Sequence, residues 1–338
     1  MASLGYQRLR VAGAAIFSAL FVVFFGGVVP AHSLPANQMQ LEFATSGMYE
    51  NISVTLGGEL SNVVINWGDL SGSGSDVIQN VTNQGPGSGD ITLTQMVDFG
   101  GTYVVSITAT KLERFGKCLG GSDTTLTKVL SWGDFGLTSL RCGFDHRSEL
   151  RQVPATLPTT VTDISYAFAY ANAFNQDISG WNTSNVTNMA GMFESSVSFN
   201  RSLASWNISN VTNMTDMFKK VVSYSMSNEN YSSTLVGWGS QSVKPNVNLG
   251  AVSTQAVTCE AVNARATLLA SPHNWTISDV APTISCPTNN NSGSSGLVAA
   301  ELAQTGFPLS GYSVFAILML TLGVIIFVSP RVVNKFNR

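Results

Sequence analysis

The sequence predicts a mostly β, α+β chain: an N-terminal β-domain, a short solenoid of stacked repeats with a C-terminal cap, and an apolar helix at each end. Three observations carry this. A 25-residue phrase is written twice, FNQDISGWNTSNVTNMAGMFESSVS over 174–198 and FNRSLASWNISNVTNMTDMFKKVVS over 199–223. Ahead of it, short β-branched runs alternate with Gly, Ser, Asn and Asp clusters, as strands alternate with turns. Charged residues make up 11% of the 338, against about 25% in an ordinary globular chain, so Asn, Ser, Thr and Gly supply the polar surface. That suits an extracellular β-rich protein better than a cytosolic enzyme.

The first element, residues 1–33, reads as a secretory signal. Arg8 and Arg10 precede the apolar run VAGAAIFSALFVVFFGGVV, and Ala31-His32-Ser33 sets small residues for cleavage between Ser33 and Leu34. An uncleaved anchor helix is the competing reading of the same run. From Leu34 to Thr305 the chain holds 12 basic and 20 acidic residues, a net −8. Nucleic acid, which demands clustered Lys and Arg, is a poor partner for such a surface.

Residues 37–116 form the expected β-domain, with LEFATS, NISVTLG, NVVINWGD and GTYVVSITAT as strands and SGSGSD and NQGPGSGD as turns. The pair VVINWGD (Val63 to Asp69) and GTYVVSITAT (Gly101 to Thr110) resembles the polycystic-kidney-disease (PKD) type of immunoglobulin-like sandwich. That resemblance implies a spacer or adhesion module. Asp69 is read as a turn cap rather than a metal ligand.

Residues 117–223 form the repeat region. LTSLRCGF (137–144), VTDISYAF (161–168), VTNMAGMF (186–193) and VTNMTDMF (211–218) align at spacings of 24 or 25, giving about four coils. A unit this short buries its apolar face only by stacking on its neighbours. Val186, Met189 and Phe193 fall on one face of a short helix, capped by Asn185 or Thr187, and Asp177 to Gly180 is read as a short strand or extended turn. The coil so described is leucine-rich-repeat-like. The phrase FNQDISGWNTSNVTNMAGMF, with VLSWGDFGLTSL and VPATLPTTVTDISYAF before it and YSSTLVGWGSQSVKPNVNLG and ATLLASPHNWTISD after it, resembles BspA-type leucine-rich-repeat surface proteins of bacteria. The resemblance implies adhesion to host or neighbouring-cell components and no catalytic residues.

Within the repeats, Met189, Met192, Met214 and Met217 are expected in the core. Trp181 and Trp206 form one aromatic column, either buried core or an exposed ladder. With Asn175 and Asn200 they are the candidate binding surface, and the wider candidate is the exposed face of 159–223. NVTN and NIS repeat the glycosylation sequon, at Asn80, Asn185, Asn207 and Asn210 among others; turn and cap roles explain the repeat Asn more simply.

The four cysteines suggest staples. Cys118 and Cys142 lie one repeat apart, which on stacked coils brings them to about sheet spacing, roughly 5 Å. Cys259 and Cys286 would then close the cap over 224–286, although sequence alone allows three connectivities. A reactive thiol in Cys142-Gly143-Phe144-Asp145-His146 is the competing reading. No His/Cys/Glu cluster has zinc spacing and no Gly-rich phosphate loop occurs, so no metal or cofactor is implied. Asp163, Asp177, Glu194 and Asp216 do not recur as a matched pair, and the chain is not read as an enzyme.

Residues 287–301 form a Pro/Asn/Ser/Gly linker. After it come Leu302-Ala303-Gln304-Thr305-Gly306, an apolar run from about Tyr312 to Val328, and Arg331, Lys335 and Arg338. This order over 302–338 resembles a cell-wall sorting signal of the LAxTG type. The resemblance implies that a sortase cuts Thr305–Gly306 and joins Thr305 to peptidoglycan; a plain C-terminal membrane anchor is the alternative. The expected protein is a secreted, wall-anchored adhesin for an extracellular protein or glycan. A spacer without a specific ligand is the second reading and a surface hydrolase the third.

Overall fold

The computed structural model describes residues 37–118, 124–219 and 226–286. The expected secretory signal with its cleavage site at Ser33 and Leu34, the expected linker and the 302–338 segment lie outside the described residues. Among the described residues, no helix is long and apolar enough to cross a membrane. The described residues up to Ile284 form one compact unit, rich in β-structure, with two α-helices among them.

Two antiparallel sheets make up the N-terminal part. The first has the order β4-β3-β6-β1-β8, from β4 (Ile78–Asn80), β3 (Val64–Asn66), β6 (Gly101–Thr108), β1 (Gln38–Thr45) and β8 (Leu126–Trp132). The second is β5-β2-β7, from β5 (Ile91–Val97), β2 (Glu50–Ser61) and β7 (Lys111–Phe115). All four strand runs expected from β-branched composition fall in these sheets. The alternation of β1 sends Met39, Leu41 and Phe43 inward, because successive side chains of a strand point to opposite faces. They join Ile52, Val54 and Leu56 of β2 and Val105 and Ile107 of β6 in one apolar core.

Trp67 is fully buried and donates its Nε1–H to Gln79 Oε1 at 3.1 Å. Asp69 caps the next turn. Its carboxylate accepts from the amides of Ser73 at 3.1 Å and Gly74 at 2.6 Å, and the Gly74 amide is the main cause of its lowered pKa.

The boundary at 116/117 is not a break in the structure. β8, at the start of the expected repeats, pairs with β1 in the first sheet. Conversely Arg114 of β7, inside the expected β-domain, bridges Ser139 of the first coil in parallel.

From residue 138 to 219 the backbone is built of turns joined by single parallel bridges. Arg114, Ser139, Asp163, Asn188 and Asn213 bridge in succession, and Met214 bridges Leu249 of β9 (Asn248–Leu249), which pairs in parallel with β10 (Thr276–Ile277). The expected short helix in each repeat does not form; 190–195 is a run of turns. Met192, Glu194 and Ser196 donate their amides back three residues, to Met189, Gly191 and Phe193. The alternate amides, of Met189, Gly191, Phe193 and Ser195, donate instead to carbonyls of the next coil at 2.8–2.9 Å.

The coils beginning at Leu140 and Ile164 repeat this division of donors. An α-helix would keep all these amides within the segment; here every second one joins neighbouring coils. Left-handed residues recur at matching places, Cys142, His146, Tyr166, Tyr170, Gly191, Ser195 and Asp216, with φ of 53–59°. Asp177 to Gly180 is likewise turn rather than strand. The bridging position falls in the Val-Thr-Asn-Met phrase that the periodicity assigns to a helix.

Inside the stack, equivalent rings lie over one another. Phe144, Phe168, Phe193 and Phe218 follow at centroid separations of 5.4, 5.7 and 6.0 Å. Phe115 of β7 begins this column at 5.8 Å and Trp238 ends it at 6.4 Å. Met189, Met192, Met214 and Met217 are fully buried.

The stack is closed by α1 (Asn228–Gly239), with Ser227 as N-cap, and α2 (Cys259–Leu269), with Thr258 as N-cap. Gly237 is required in α1, because a Cβ there would meet the Ala204 carbonyl oxygen at 2.2 Å. Behind the helices, Asp279 has a fully buried carboxylate that takes a two-pronged ion pair from Arg265 and the hydroxyl of Tyr231 at 2.9 Å. Burial first, and then the Asp279 charge, push the Tyr231 pKa well above its ordinary value.

Candidate binding surface

Trp181 and Trp206 are not a binding ladder. Only 3% and 0% of their surfaces are exposed, and the rings stack at 6.4 Å. Each indole N–H reaches back at 3.0 Å to a backbone carbonyl, Trp181 to Pro154 and Trp206 to Ile178. A buried indole needs such a partner, and the coil before it supplies one. The aromatic column is therefore core, and what the stack shows to solvent is polar.

That polar face is periodic. Thr162, Thr187 and Thr212 are exposed one coil apart. Thr187 and Thr212 each donate amide and hydroxyl to the threonine carbonyl of the coil before, at 2.8 and 3.2 Å. Beside them, Asn185 Nδ2 donates to Thr159 O and Asn210 Nδ2 to Ser184 O, both at 2.8 Å. At the bridging column, Asp163, Asn188 and Asn213 each accept the amide two residues on. The sequon-like Asn of the repeats are thus turn and ladder residues.

The regular face is interrupted where the second strong repeat meets α1. A shallow cleft of about 360 Å³ is lined by Asp177, Ser179, Asn200, Arg201, Ser202, Ala204, Ser205 and Asn230. Asn200 lines it, and Asn175 supports Asn200 and Arg201 through hydrogen bonds. Asn175 Oδ1 accepts the Asn200 amide at 2.9 Å, and Asn200 Oδ1 accepts from Ser227 N and Asn230 Nδ2 at 2.8 and 2.7 Å. Arg201 is exposed, with Nε donating to Asn175 O at 3.0 Å. Asp177 is held ionised, its pKa lowered mainly by the Ser179 amide, with Arg201 contributing.

The sequence singles out the two Asn and includes Asp177 and Arg201 only within the wider face of 159–223; Asn230, on α1, falls outside it. The signal was available: Gln176-Asp177 of one copy becomes Arg201-Ser202 of the other, so two copies that agree in their core differ at the cleft.

The remaining candidates each have a partner or a turn role in the fold. Cys142 is bonded to Cys118, with Cα atoms 4.8 Å apart, which rules out a free thiol in 142–146. His146 pairs with Asp145 at 2.6 Å and stacks on Tyr170. Cys259 and Cys286 are disulfide-bonded too. Glu194 and Asp216 both face Lys219, at 3.5 and 3.1 Å, and Asp163 serves its own turn. Among the described residues, no group of three His, Cys, Asp or Glu has metal-binding geometry.

Residues 138–245, which span the turn-built coils and α1, match a family described as Mycoplasma protein of unknown function, DUF285. No curated protein and no solved structure gives a significant match. The chain is therefore similar to that family over its coils.

Proposed function

We propose that this chain is a secreted bacterial surface protein, anchored to the cell wall, that binds an extracellular protein or glycan through its stacked coils. In this reading 37–116 is a PKD-like immunoglobulin-type sandwich and the coils are a BspA-type leucine-rich-repeat solenoid. Thr305 is the point of attachment to peptidoglycan by a sortase. The observation that carries the binding role is the division of side chains in the coils. The large apolar residues of each copy point inward, and a repeated, nearly uncharged set of Asn, Ser and Thr points outward. Such a face recognises its ligand by hydrogen bonds and shape, with little electrostatic steering.

The test is binding of the full-length chain to arrays of extracellular-matrix proteins, glycans and bacterial cell walls. Arg201→Ala in the cleft and Thr187→Arg with Thr212→Arg on the periodic face are the variants, with circular dichroism as a check on folding. Saturable binding that falls at least about tenfold in one of them supports an adhesin. Binding untouched by all three places the site elsewhere. No binding at all leaves the spacer reading. A Thr305→Ala variant that still co-purifies with peptidoglycan after detergent extraction would sink the sortase linkage.

A further inference from the structure

We propose that a second cleft, between β7 and the first coil, is a binding site for a doubly charged tetrahedral oxyanion. The cleft holds about 310 Å³ and is lined by Asp90, Arg114, Gly116, Lys117, Cys118 and Arg141. Its cations come from different places in the chain. Arg114 lies on β7, Lys117 just beyond its end, and Arg141 in the first coil. The parallel bridge between Arg114 and Ser139 and the disulfide between Cys118 and Cys142 bring them together.

The charges there do not balance. Arg114 Nη2 donates to Asp90 Oδ1 at 2.5 Å, but its Nε is buried and has no hydrogen-bond partner. That Nε lies against Gly57 of β2, where a Cβ would be 2.9 Å away, so it is the rest of the side chain, 30% exposed, that is open to a ligand. Lys117 and Arg141 are exposed and have no ion-pair partner among the described residues. Among the described lining residues, three cations against one carboxylate leave two positive charges, in a central chain whose net charge is −8.

Like charges held together repel, and a dianion relieves that repulsion. Guanidinium and ammonium groups present donors only, which suits an acceptor-only ligand such as sulfate or phosphate. Gly57 of β2 lies against the Arg114 guanidinium, since a Cβ there would sit 2.6 Å from Nη2 and 2.4 Å from Asp90 Oδ1. The guanidinium is therefore seated on the sheet rather than free in solvent. The group bound is either a free inorganic anion or a sulfate or phosphate ester carried on a polysaccharide.

Calorimetric titration of the full-length chain with sodium sulfate, sodium phosphate and dextran sulfate, against sodium chloride at matched ionic strength, tests this. Sulfate or phosphate is expected to bind at least about tenfold more tightly than chloride, with Lys117→Ala and Arg141→Ala each losing about tenfold. Asp90→Asn removes the competing carboxylate and is expected to tighten binding, which a purely structural cluster would not do. Dextran sulfate binding more tightly per sulfate than the inorganic ion identifies the ester source; equal affinity identifies the free anion. Sulfate and phosphate no tighter than chloride, or affinity unchanged in Lys117→Ala and Arg141→Ala, overturns the proposal.

Discussion

The sheets of 37–132 and the coils of 138–219 satisfy their backbones in opposite ways. In the sheets, strands pair antiparallel over long registers; β1 and β6 match residue for residue from Gln38–Thr108 to Thr45–Gly101. In the coils, single bridges and alternating turn amides do the same work without a regular strand or helix. The difference teaches that sheet-like stacking needs no strand longer than one residue, provided that the same side chains recur on every rung. Repetition supplies in the coils what alternation supplies in the sheets.

The largest expected effect tests whether the two regions share one fate. Phe193 lies 3.8 Å from Phe199, 5.7 Å from Phe168 and 6.0 Å from Phe218. Phe193→Ala in the coils and Phe43→Ala in the sheets are each expected to cost about 3–5 kcal/mol. Because both residues belong to one core, urea unfolding should stay a single transition shifted to lower midpoint. Two separate transitions in either variant would show that coils and sheets unfold independently.

A smaller effect separates backbone strain from crowding. Gly72 of the sheet region and Gly191 of the coils have φ of +70° and +59°. A Cβ at Gly72 meets nothing within 4 Å, whereas one at Gly191 meets the Tyr166 ring at 2.2 Å. Gly72→Ala should therefore cost only the left-handed penalty, about 1 kcal/mol. Gly191→Ala should cost about 3 kcal/mol, once overpacking is added. Equal melting-temperature shifts would mean that the Tyr166 ring moves aside freely.

The smallest effect, a pH dependence that sets in only under alkaline conditions, concerns the end of the stack. The raised pKa of Tyr231 means that the folded state holds its proton more tightly than the unfolded chain. Its contribution is fully present below the unfolded tyrosine value of about 10 and is lost as pH rises beyond it. Denaturation midpoints should fall steeply above that pH in the native chain and less steeply in Tyr231→Phe. Parallel slopes would remove Tyr231 from the alkaline transition.

Much of this architecture was legible in the residues. The four β-branched runs mark strands because burial on one face of a strand imposes a period of two. The repeat marks stacking because its Phe, Trp and Met recur at one interval. The turn conformation inside each coil was not legible. Val186, Met189 and Phe193 have helical spacing, yet the amides between them bond sideways, and that choice depends on a neighbouring coil being present. The cleft at Asn200 was half legible: its asparagines stand out in the repeat, while Arg201 acquires meaning only where α1 packs beside it.

The sequence by itself determined the interval at which large apolar side chains recur, since hydrophobic period and repeat length are properties of the chain alone. Only the tertiary structure decided that Trp181 and Trp206 are core, that β8 joins the first sheet, and that Arg114, Lys117 and Arg141 share one cleft. Each of those outcomes rests on contacts between segments distant in sequence. A local pattern fixes which way a residue faces; the packed neighbour fixes what it meets.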